Sequence, residues 1–258
     1  MLFKRELKRN FKSFIICTAI CSALSLYVIA LTPSLGADMQ KLLDMKLPRE
    51  MQMAFGMSNL NFNTPLSVYS IMFSYLYLTF GIYAAIMFAG IVSKEFTEKT
   101  AEYLFSLPSN RITIIASKLV VAVLYLTASI NINLLITWVG FAKIIKTGYS
   151  IEPILFMSAG WWLGSLFFGA MAFLLSSFYI KTKMAVGLVM GAYLLQVVIS
   201  LKEQLNLLKY FSPFDWFKGN DIINAAGLPI SHSLIALASI IICFVVGSKR
   251  FVNMDVLV

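Results

Sequence analysis

Six stretches of this chain are each apolar over the length of a membrane-crossing helix, and that feature removes almost every other architecture. They cover residues 14–31, 68–92, 112–141, 154–178, 184–201 and 230–247. A spanning helix needs about 20 largely apolar residues. The third stretch enters the apolar layer only after Lys118, and Ser231, His232 and Ser233 dilute the start of the sixth. The composition agrees: 59% of residues are apolar and 13% charged, against roughly 45–50% and about 25% in soluble domains. A soluble globule, a disordered chain and a coiled coil are thereby excluded. The predicted fold class is an all-α integral membrane protein, one domain over residues 1–258 with six transmembrane helices.

Orientation follows from where the cations lie, because short cytoplasmic connections carry the excess of Lys and Arg. Of the 21 Lys and Arg residues, 13 fall on one side and 8 on the other. The richer side holds Lys4, Arg5, Lys8, Arg9 and Lys12, then Lys94, Lys99, Arg111 and Lys118, then Lys181, Lys183, Lys249 and Arg250. Both termini are therefore predicted to be cytoplasmic. The start has the order of a signal peptide, but its 18-residue apolar run is long for one. Cys17, Cys21 and Cys243 all sit in apolar runs, an odd count without framework spacing, and imply no disulfide scaffold.

The connections carry further signals. In residues 1–13, Phe3, Leu7 and Phe11 recur at helical spacing and continue to Phe14, with Lys4, Arg5, Lys8 and Lys12 off that stripe. This pattern predicts a short interfacial amphipathic helix. Between the second and third spans, Phe96, Thr100, Tyr103, Leu104 and Leu107 share one helical face, while Glu95, Glu98, Lys99 and Glu102 share the other. A cytoplasmic helix over 94–107 is predicted, stopped by Pro108, with its carboxylates toward the cytosol. Three Glu within eight residues on the basic side suit a docking surface for a partner protein. The external connection 32–67 contains Pro33, Pro48 and Pro65 and a Met-rich cluster, and is predicted to hold a short helix at the outer surface. The last external connection reads Tyr210-Phe-Ser-Pro-Phe-Asp-Trp-Phe217. Its aromatics suit the interfacial belt, and Pro213 and Gly219 favour short or re-entrant helices.

These residues together resemble the ABC-2 type permease family, the transmembrane subunits of ABC exporters. The family's cytoplasmic motif runs Glu-x-x-x-Gly-Thr-x-Glu, then Pro-x-Ser-Arg, then Gly-Lys. This chain matches it at Glu95, Thr100, Glu102, Pro108, Arg111 and Lys118, and departs at Lys99, Asn110 and Ser117. The resemblance implies that residues 94–107, with Phe96, Glu98, Tyr103 and Leu104, form a coupling helix that meets an ATP-binding subunit. It implies an outer gate at Phe211, Pro213, Phe214 and Trp216, in a re-entrant segment before the sixth span. It implies two copies of the ATP-binding subunit, a second permease copy or a paralogue, and surrounding membrane lipid, with no nucleic acid. By the same resemblance the chain lies in a bacterial cell membrane and is similar to exporters of amphipathic peptide toxins.

A phosphate-binding loop of the form Gly-x-x-x-x-Gly-Lys-Ser/Thr is missing from the chain. The chain is therefore predicted to be no enzyme and to bind no cofactor or metal itself, with ATP and Mg²⁺ on the partner. Intramembrane proteases need histidine placements that the lone His232 does not supply, and acidic Mg²⁺ clusters are missing. A secondary transporter remains the alternative class; within the exporter class an antibiotic, a lipid or sodium remains an alternative cargo.

Polar residues inside spans mark either a pathway or contacts between helices. Asn131, Asn133 and Gln196 are the candidates for a translocation path; Thr127 shares a face with Asn131, and Ser129 and Thr137 share one with Asn133. Small residues recur at four-residue spacing at Gly81, Ala85 and Ala89, at Gly160 and Gly164, and at Gly187 and Gly191. Such rows allow close helix approach, within one subunit or, at Gly187 and Gly191, between subunits.

Overall fold

The computed structural model describes residues 2–44, 64–98, 110–146, 149–178, 182–201 and 212–253, and all its regular elements are helices. They are α1 (Leu2–Asp44), α2 (Pro65–Thr97), α3 (Arg111–Gly140), α4 (Ile151–Ser176), α5 (Thr182–Leu201), α6 (Pro213–Trp216), α7 (Gly219–Ala225) and α8 (Ile230–Val252). A π-helical turn, Phe141–Ile145, extends α3. Six of these helices are long and apolar enough to cross a membrane, as expected. Where α2 and α3 begin is written locally. Pro65 stands in the first turn of α2, where its missing N–H costs nothing. Asn110 caps α3, its side chain accepting from Ile112 N at 3.1 Å.

α1 departs from expectation. Residues 2–13 are not a separate interfacial helix; they are the first turns of one helix that continues through the first span to Asp44, past Pro33. The reason is local: residues 2–32 contain neither glycine nor proline, so nothing interrupts the hydrogen-bond ladder. The Phe stripe also divides. Phe3 and Phe11 are exposed, while Phe14 packs on Tyr125 at 4.8 Å and Tyr125 Oη donates to Leu7 O at 2.7 Å. The Met-rich stretch 45–63 lies outside the described residues.

α2 and α4 form the centre. Their most apolar windows are 72% and 67% buried, against 17% for α5 and 22% for α8, which lie at the periphery. Lipid tails are as apolar as leucine, so contact between spans rests on close packing and interhelical hydrogen bonds rather than on exclusion of water. Both are visible. A Cβ at Gly164 on α4 would overlap the Tyr77 hydroxyl of α2, and one at Gly169 would lie 2.7 Å from Phe88. On the same seam Phe73 stacks on Trp161 with ring centroids 4.7 Å apart. The α1–α3 seam is held instead by polar pairs. Thr18 Oγ1 donates to Ser129 Oγ at 2.9 Å, and Asn133 Nδ2 donates to Ser25 Oγ at 2.9 Å. Tyr69 of α2 meets Thr137 of the same α3 face at 3.3 Å.

Candidate functional site

α1, α2 and α3 meet at the end where the chain leaves α2 and re-enters at α3. Four charged side chains converge there from residues far apart in sequence. Lys118 Nζ contacts Glu95 Oε1 and lies 3.3 Å from Glu6 Oε1. Arg9 bridges the two carboxylates, at 2.9 Å from Glu95 and 3.1 Å from Glu6. Glu6, Glu95 and Lys118 are buried, and Arg9 is partly exposed. Among the described residues two acids and two bases pair directly, with Lys94 close enough to interact with Glu6, Arg9 and Lys118. Pairing is the condition for keeping charge at this depth, because an unpaired buried ion costs several kcal/mol, on the order of the whole stability of a domain.

Glu95 therefore departs from expectation. It is not on a cytosolic face with Glu98 but is buried, because Lys118 and Arg9 draw it inward. Lys94, Glu95 and Phe96 belong to the last turns of α2, Phe96 packing partly into the core, and Glu98 caps that helix and is exposed. The remainder of the expected 94–107 helix, with Thr100, Glu102, Tyr103 and Leu104, lies outside the described residues, as does Pro108. Arg111 Nη1 donates to Val252 O at 2.9 Å. A cation on the C-terminal carbonyls of α8 satisfies groups that the helix leaves open. Three motif residues, Glu95, Arg111 and Lys118, thus each grip another helix. Glu6 and Arg9 were not singled out in the sequence. The available signal was Glu6 itself, the one acid among the five cations of residues 1–13, three residues before Arg9.

At the opposite end, α6 and α7 form two short helices before α8. Pro213, Phe214 and Trp216 are buried inside the subunit. The cause is a ring cluster: Phe214 lies 4.7 Å from Tyr77 and 4.9 Å from Phe168, and Trp216 lies 5.3 Å from Phe167. Tyr77 Oη donates to Pro213 O at 3.2 Å, and Trp216 stacks near His232 of α8. Ala226 takes a left-handed conformation and ends α7, and Gly227 N donates back to Ile222 O at 3.3 Å, which turns the chain toward α8. Phe211 lies outside the described residues.

The three path candidates are not brought together. Asn133 is buried in the α1–α3 seam, with Oδ1 lacking a partner among the described residues. Asn131 is exposed, and among the described residues its Nδ2 donates only back to Thr127 O of its own helix, at 2.8 Å. Gln196 is half-buried on α5. The glycine rows also separate. Gly160 and Gly164 pack inside the subunit, whereas Cβ atoms at Gly187 and Gly191 would meet nothing within 4 Å.

Six helices long and apolar enough to span a membrane thus carry a charge clamp at one end and an aromatic cluster at the other. The model of the ABC-2 family transporter proteins matches residues 2–256. This chain belongs to that family. No curated protein matches it significantly. An ABC-2 permease is a multi-pass membrane subunit of an ABC transporter; it works with an ATP-binding subunit and is not itself the ATPase.

Proposed function

We propose that this ABC-2 permease is the membrane subunit of an ATP-driven exporter that moves an amphipathic cargo, in the first place a cytolytic or antimicrobial peptide, out of a bacterial cytoplasm. ATP and Mg²⁺ reside on two copies of the ATP-binding subunit. Both termini face the cytoplasm, by the distribution of the cations. The observation that carries the reading is the clamp of Glu6, Arg9, Glu95 and Lys118. It sits where α2 ends and α3 begins, so the connection 99–109 departs from and returns to the clamped end. A partner that pulls on this connection, through Glu98 and the motif residues beyond it, displaces α1, α2 and α3 as one body.

A second permease copy completes the assembly. The open face of α5 supports this: Gly187 and Gly191 are bare, and Met184, Leu194 and Val198 around them are exposed. Asn131 supports it too, because a mid-span amide facing hydrocarbon is costly. Against a second copy or a wet path it is solvated. The buried ring cluster around Phe214 and Trp216 serves as the outer gate, which must part for cargo to leave.

Co-purification of the tagged chain with its ATP-binding subunit, followed by ATP hydrolysis in lipid nanodiscs, tests the reading. A stable complex whose hydrolysis changes with amphipathic peptides supports it. A complex that ignores peptides but responds to an antibiotic, a lipid or sodium reassigns the cargo, and no complex at all removes the exporter.

A further inference from the structure

At the clamped end of the molecule, an open groove of about 450 Å³ runs between the start of α3 and the end of α8, lined by Ile112, Phe244, Val245, Ser248, Lys249 and Val252. Its floor is firm, because Phe244 stacks on Phe88 with centroids 5.8 Å apart. Part of its wall is apolar and left open by the described residues: Ile112 and Val245 remain 58% and 48% exposed. One end is tied off where Arg111 holds Val252 O. Lys249 is exposed at that same end, beside the Ser248 hydroxyl.

The lining residues of α8 recur at four-residue steps, at 244, 248 and 252 and at 245 and 249, so they form one strip along the helix. That strip passes from the apolar Phe244 and Val245 to Ser248 and Lys249 within about one and a half turns, and ends on Val252 and Asn253. Among the described residues the lining contains a cation and no acid. Nearby Arg250 is turned away, 4.7 Å over the Phe178 ring, so Lys249 is the cation that faces the groove. An amphiphile with an apolar chain and an anionic head matches this order of surfaces, and basic pockets between spans are known recognition sites for anionic headgroups.

We propose that this groove holds one anionic phospholipid. An acyl chain lies along Val245 and Phe244 against Ile112, and the phosphate meets Lys249 and Ser248. The proposal requires that the ends of α3 and α8 lie at headgroup depth. It does not depend on cargo, transport direction or the ATP-binding subunit, so its failure leaves the proposed function standing.

The test is native mass spectrometry of the full chain with phosphatidylglycerol or phosphatidylcholine. The wild type retains phosphatidylglycerol in preference, and Lys249→Gln lowers that retention about fivefold. Arg250→Gln, with the same loss of charge, leaves it unchanged. Val245→Trp fills the groove and abolishes retention of both lipids; should that variant fail to fold, the comparison of Lys249→Gln with Arg250→Gln still decides. Equal losses in the two charge variants overturn the site, since they report only a basic end. Displacement of the lipid by inorganic phosphate, or stronger retention after deletion of residues 254–258, also overturns it, assigning the groove to a free anion or to the chain's own tail. A changed oligomeric state in Val245→Trp with lipid retention intact assigns it to a second copy.

Discussion

Glu95 and Lys118 meet across the α2–α3 seam with only 3% and 2% of their side chains exposed, and Arg9 and Glu6 of α1 close the set around them. The pair lies 23 residues apart in sequence and spans the root of the connection between α2 and α3. Its burial separates two questions that a surface pair would merge: whether the ions hold the fold, and whether they pass on motion.

Removing one partner should be costly. Glu95→Ala leaves Lys118 and Arg9 short of a counter-charge, and destabilisation of about 3–5 kcal/mol is expected. The double variant Glu95→Gln, Lys118→Met removes both ions and should recover most of the melting temperature, because an apolar replacement of a buried pair is often neutral. If the clamp transmits motion, that stable double variant still shows ATP hydrolysis uncoupled from transport in reconstituted vesicles.

Charge reversal at Glu98 should act differently. The side chain is exposed at the C-cap of α2, so Glu98→Lys is expected to leave the unfolding free energy within about 0.5 kcal/mol of wild type. Recovery of the ATP-binding subunit on the tagged permease should fall several-fold, and Glu98→Lys with Glu102→Lys should lower it further. Unchanged recovery would remove this connection as the contact.

The glycines offer a matched pair. Gly164→Ala drives a methyl into the Tyr77 hydroxyl and should cost about 1–3 kcal/mol, read as a lower melting temperature in detergent. Gly187→Ala and Gly191→Ala meet open space and should leave monomer stability alone. If α5 forms the subunit interface, those two variants weaken the dimer, and Gly187→Cys cross-links between copies.

The two asparagines make a second matched pair. Asn133→Ala breaks its bond to Ser25 in the α1–α3 seam and should cost about 0.6 kcal/mol, with about 1.7 as the ceiling. Asn131→Ala loses only a bond within its own helix and should melt like wild type. A loss of peptide-stimulated hydrolysis in Asn131→Ala at unchanged stability would mark it as lining the path.

Much of this architecture is legible from single residues and their neighbours. The spans are set by local hydropathy, since a lone apolar segment in hydrocarbon can satisfy its own N–H and C=O groups by forming a helix. Helix starts follow the same local logic, at Pro65 and at Asn110. The spacing of Gly160 and Gly164 marks a face that can pack closely, but the same spacing at Gly187 and Gly191 meets open space among the described residues. The ABC-2 motif, too, is a linear string, and it points to the family without reference to any contact.

What could not be read linearly depends on which side chains meet. Glu95 reads as a cytosolic carboxylate on a helical wheel, yet lies buried because Lys118, Arg9 and Glu6 arrive from two other helices. Phe214 and Trp216 read as interfacial aromatics, yet fill a core whose walls are Tyr77, Phe167 and Phe168. Asn131 and Asn133 are two residues apart and face opposite fates, one exposed and one in a seam with Ser25. Hydropathy places a residue in the membrane or out of it, because that choice is local. Whether a polar group inside finds a partner, and which partner, is set by the pairing of helices distant in sequence, and only the packed fold supplies that pairing.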